Sequence, residues 1–166
     1  PEPVANDDDF KVKEFTRNNQ TLEEYLSEQV DFTFNDKKEI KVARYIIGLL
    51  DTAGYLRVST AEISSLLKIN EKIIENVLAK IQILEPIGIA ARDLPECLAI
   101  QAKKINVYDG IMKAIIDKYL PKVAEGKIKE IATLENVEPI QVQEAIDIIR
   151  TFNPKPGASF GKENLE

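Results

Sequence analysis

Four times along this chain a short polar residue is followed three places later by glutamate: Thr21 with Glu24, Asp36 with Glu39, Ser59 with Glu62, and Asp93 with Glu96. Such a pair can form a capping box, in which each side chain bonds the other residue's backbone N–H at the start of a helix. Apolar residues at helical spacing follow each pair, as in Leu22, Tyr25, Leu26 and Val30 after the first. No segment gives a convincing run of period-two alternation, so these stripes must be buried by packing helix on helix. The predicted fold class is all-α, with about eight helices and short connections.

The second helix is expected over residues 36–52, with Ile40, Ala43, Ile46, Ile47 and Leu50 inward and Gly54 ending it. A short third helix begins at Ser59, and Asn70 caps a longer fourth one through Ile74, Val77, Leu78 and Ile81. The pattern then breaks at Pro86 and Gly88 and restarts at Asp93. Leu94, Cys97, Leu98 and Gln101 share a face of the fifth helix. A sixth is expected over residues 108–120, ended or kinked by Pro121. A short helix follows Lys127, and Pro139 opens the last, which stops at "NPKPG". The break at Pro86 divides the chain into a first helical subdomain, 20–90, and a second, 91–160. Residues 1–19, with the run Asp7, Asp8, Asp9, read as a flexible acidic lead-in, and 161–166 as a tail.

The chain carries a net charge of −6, which speaks against phosphate as its main partner. It has no histidine and one cysteine, Cys97, so a histidine base, a histidine ligand and a cysteine-cluster zinc site are all excluded. No glycine-rich phosphate loop appears, and the carboxylates sit at helix starts or on charged faces. No catalytic residue, metal or cofactor is expected. No apolar run reaches the roughly 20 residues that span a bilayer. The lone cysteine suits a reducing cytoplasm.

Displacing the sequence by 68 residues sets Leu66 on Leu134, Ile74 on Val142, Leu78 on Ile146, Leu84 on Phe152 and Pro86 on Pro154. Both copies read as a helix-turn-helix-like bihelical unit, either by duplication or through the apolar spacing that any helix pair shares. A DNA reader would present basic residues on the second helix. Here that helix carries Glu144 and Asp147 against Arg150 in one copy, and Glu71 and Glu75 against Lys72 and Lys80 in the other. Both units therefore read as structural or protein-binding versions; a helix-turn-helix DNA-binding transcriptional regulator is the alternative.

The stretch "LEPIGIAARDLPECLAIQ" resembles the signature segment of the sigma-54 family of bacterial transcription factors, through Pro86, Gly88, Ala91, Arg92, Asp93, Leu94, Glu96, Cys97, Leu98 and Gln101. Three further pieces are similar to that family in order: "TLEEYLSEQV" to its leading helix, "DTAGYL" to its acidic turn, and "FNPKPGASF" to its closing proline–glycine element. The resemblance implies a region that binds core RNA polymerase at the beta and beta-prime subunits, performs no reaction, and works in the bacterial cytoplasm. Promoter DNA would be met only through parts absent from this chain, which is expected to be a monomer when free.

Physical readings of the signature residues accompany this. Gly88 permits a turn where a side chain would clash. Asp93 caps the fifth helix, and Leu94 and Leu98 are expected to anchor it against the first subdomain. Arg92 has a planar donor fork suited to carbonyls or acids on both sides of the joint. Lys155, between two prolines, sits on a stiff arm suited to a partner contact.

Overall fold

The computed structural model describes residues 20–160, so the acidic lead-in and the tail lie outside the described residues. The fold is all-α, with no strand among the described residues. In chain order the helices are α1 (Leu22–Thr33), α2 (Lys37–Leu49), α3 (Thr60–Leu67), α4 (Glu71–Ile81) and α5 (Leu94–Lys104). Next comes α6, built from Gly110–Ala114, a π-helical turn Ile115–Tyr119, and Leu120–Ala124; α7 (Ile128–Glu135) and α8 (Pro139–Ile149) follow.

The described residues divide into two units, one comprising residues 20–90 together with 155–160, the other Ala91–Pro154. The sequence assigns 155–160 to the second subdomain; the structure corrects this. Gly157 donates its N–H to the Ala53 carbonyl at 2.9 Å, and Phe160 stacks on Tyr25 with ring centroids 5.2 Å apart. Both partners lie in the first unit, so the closing segment completes that unit's surface.

In the first unit, the apolar stripes of α1 to α4 meet in one core around Leu26, Val30, Ile46, Ile63, Ile74 and Ile81. Each fully buried aliphatic side chain of this kind contributes about 1.5–3 kcal/mol. The expected caps form. Thr21 and Glu24 make a reciprocal box, and Asp36, Ser59 and Asn70 accept from the N–H groups of Glu39, Glu62 and Lys72. Helix α2 stops at Leu49, three residues short of expectation. There the Asp51 carboxylate takes the N–H groups of Ala53 and Tyr55 and winds the chain into a turn instead.

In the second unit, Leu98, Ala102, Ile115, Ile116, Ile131 and Ile146 form the centre of the core. Pro121 does not end α6. The π turn widens the backbone just before it, and the helix runs on to Ala124. A proline clashes with the carbonyl one α-turn earlier, and a π-bulge relieves that clash without breaking the helix.

Candidate functional site

Parts of all four motif segments meet inside the first unit: the leading helix, the acidic turn, residues 84–90 of the signature and residues 155–160 of the closing segment. The "DTAGYL" turn holds Gly54 at φ +97, a conformation favouring glycine. Its Ala53 and Gly54 carbonyls each accept a backbone bond from a segment distant in the chain. The first accepts from Gly157 at 2.9 Å, in the closing "NPKPG" segment; the second accepts from Ala90 at 2.7 Å, at the end of the signature turn. The approach is close. A Cβ on Gly157 would lie 2.9 Å from the Gly54 nitrogen and 3.0 Å from Leu22 Cδ2, and one on Gly54 would lie 2.5 Å from Ile89 Cδ1. Leu22 and Tyr25 bring the leading helix to the same place. Segments far apart in the chain are thus joined by backbone bonds through a gap that only glycines leave open.

The signature turn is fixed on its other side as well. Gly88 has φ +98, and Ala90 also has a positive φ, of 64°. Pro86, which follows a cis peptide bond, is buried. Gln82 Nε2 donates to the Ala90 carbonyl at 3.1 Å. Gln29 grips Glu85 from both sides, accepting from its N–H at 2.9 Å and donating to its carbonyl at 2.6 Å.

In the second unit, Asp93 caps α5 by accepting from the Glu96 N–H at 2.9 Å. Glu96 does not return the bond to Asp93. Its carboxylate reaches one residue further, to the Arg92 N–H at 2.7 Å, and also accepts from Arg92 Nε at 3.0 Å and Nη2 at 2.7 Å. The Arg92 fork thus closes a two-pronged pair with the acid in the first turn of the helix that follows. Leu98 is buried in the second unit's core, and Leu94 is 40% exposed. Gln101 grips Asn153, accepting from its N–H at 2.8 Å and donating to its carbonyl at 2.7 Å. Cys97 is buried beside this contact, its Sγ 3.6 Å from the same carbonyl oxygen. Lys155 is exposed just beyond Pro154, while Pro156 and Gly157 are buried.

Sequence reasoning missed Gly54, Gly157, Gln29 and Glu85 as members of this constellation. The signal for the glycines lay in their motifs; their meeting did not. Among the described residues, no group of three or more acidic or cysteine side chains could hold a metal ion, and no helix is long and apolar enough to cross a membrane.

Two helical units whose motif residues gather at turns and helix starts define a helical module. The chain belongs to the sigma-54 factor core-binding-domain family: the family model described as "Sigma-54 factor, core binding domain" matches residues 11–166. The chain is 33% identical over 162 residues to RNA polymerase sigma-54 factor 1 of Bradyrhizobium diazoefficiens, covering 98% of this chain and 33% of that protein. It is 35% identical over 162 residues to the RNA polymerase sigma-54 factor of Rhizobium meliloti strain 1021, covering 95% and 31% respectively. With the corresponding factor of Caulobacter vibrioides it shares 35% identity over 125 residues, covering 75% and 25%. The chain thus spans about a third or less of the length of these curated relatives.

Proposed function

We propose that this chain docks a sigma-54 factor on core RNA polymerase, at the beta and beta-prime subunits, as a monomeric, non-enzymatic module of the bacterial cytoplasm. Promoter contact belongs to other parts of such a factor. The observation that carries the reading is the family match across residues 11–166, to a domain described by its binding to the core. The outer surface of α8 supports it. Ile140 and Ile148 are exposed there beside Glu144 and Asp147, a face suited to a protein partner and repelled by phosphate. That charge also disfavours the alternative, a DNA-reading helix pair.

Crosslinking the chain to purified core polymerase tests the proposal. Adducts on the two large subunits are expected, and adducts absent at micromolar chain would refute it. Of the signature residues, Arg92 and Lys155 are proposed as contributors to that complex. Arg92→Ala and Lys155→Glu should each weaken it about fivefold, on the order of 1 kcal/mol.

A further inference from the structure

The two units share more than a matching stripe. Helices α3 and α7 each have 8 residues, and α4 and α8 each have 11, in register under the displacement by 68. Between them Lys68 and Asn136 take the same left-handed conformation, φ 57 and ψ 45 against φ 57 and ψ 49. The following N–H makes the same bond in both: Ile69 to the Ser64 carbonyl at 3.2 Å, Val137 to the Ala132 carbonyl at 3.0 Å. Past the longer helix, Leu84 bonds Ile81 and Phe152 bonds Ile149, both at 2.9 Å. Even the exposed leucines correspond, Leu66 at 61% and Leu134 at 55%.

The leading helices correspond too, under a displacement of 72. Thr21 and Asp93 cap, Glu24 and Glu96 stand at the third position, Leu26 and Leu98 are buried, and Gln29 matches Gln101. Each glutamine donates weakly to a carbonyl one turn back, Tyr25 or Cys97, and closes both bonds on the residue before a proline, Glu85 or Asn153. Those two residues are themselves related by the displacement of 68. Apolar periodicity explains matching leucines in any two helical bundles. It does not explain a side-chain amide that clasps both backbone groups of the same residue in each.

We infer that the domain is one four-helix plan used twice, α1–α4 and α5–α8, and that Gln29 and Gln101 are equivalent positioning residues. Each fixes the residue at which the chain leaves its unit's helix pair, pairing both the N–H and the carbonyl of that residue beyond the end of the helix. The clasp acts on the backbone of Glu85 and Asn153, and through it sets the direction of the segment that follows.

Residue-resolved amide exchange by NMR on the 166-residue chain tests this. In Gln29→Leu the Glu85 amide should exchange at least about tenfold faster, with Asn153 unchanged; in Gln101→Leu the pattern should reverse. The Ile69 and Val137 amides, in the turns of the same units, serve as controls and should keep their protection. In the unmutated chain the side-chain amide protons of Gln29 and Gln101 should be resolved and slowly exchanging. Should either leucine variant fail to fold, Gln29→Met and Gln101→Met, which remove both donor and acceptor at similar length, are compared against the same controls. Equal exchange at Glu85 or Asn153 with and without its glutamine overturns the inference, as does a rise shared equally with the controls.

Discussion

Gly157→Ala is the substitution whose consequence follows most directly from the packing. The new methyl would stand 2.9 Å from the Gly54 nitrogen, 3.0 Å from the Ala53 carbonyl carbon and 3.0 Å from Leu22 Cδ2. The first two are backbone atoms of a turn held by Asp51, so they cannot rotate away as a side-chain end could. Forcing one methyl into so full a space costs about 1–3 kcal/mol. At about 2–4 °C per kcal/mol for a chain of this size, melting should fall by about 4–8 °C for a cost near 2 kcal/mol. Thermal unfolding followed by circular dichroism reads this directly. Amide exchange should locate the damage, with Gly157 and Ala90 losing protection together because both donate to the same turn. A variant that melts at or above the parent temperature would refute the reasoning, since the two backbones would then have room between them.

Gly48→Ala should act in the opposite sense. Gly48 lies inside α2 with its nearest outside atom, Glu23 Oε2, 4.0 Å from an added Cβ, so alanine should stabilise by about 0.5–1 kcal/mol in urea denaturation. Ile63→Ala and Ile131→Ala empty fully buried positions that correspond in the two units; each should cost about 2–5 kcal/mol in the same assay. Asp117 accepts from Lys113 at 2.8 Å and from Tyr108 at 2.6 Å, and these bonds, that of Lys113 first, hold its carboxyl below the ordinary value. A lowered carboxylate stabilises the fold above its unfolded pKa, and that stability is lost as pH falls through the lowered folded value. Asp117→Asn should therefore melt below the parent at neutral pH and converge with it on acidification; a gap that widens toward low pH would contradict this.

What the sequence made legible was local. Helix starts were readable because Thr21, Asp36, Ser59, Asn70 and Asp93 cap through bonds spanning two or three residues, which spacing alone reveals. Core stripes were readable because 3.6-residue periodicity maps onto one helix face. Contacts across long separations were not. The meeting of Gly54 with Gly157 depends on where two turns come together in space, which no local pattern encodes. The hold of Gln101 on Asn153 likewise crosses most of the second unit. Pro121 left two outcomes open, an end or a kink, and the helix runs on past it because the π turn at Ile115–Tyr119 distorts the backbone there instead of breaking it. The donor fork of Arg92 is legible in the sequence, but its pairing with Glu96 is set by how the chain enters the helix that begins at Leu94.

Titrating the 166-residue chain against purified core RNA polymerase, with duplex DNA in a parallel titration, tests the central claim most directly. Saturable binding to polymerase at about micromolar chain or below, on the order of −8 kcal/mol, with no comparable binding to DNA, is the predicted result. Absence of polymerase binding at that concentration, or tight and steeply salt-dependent binding to DNA instead, would contradict it.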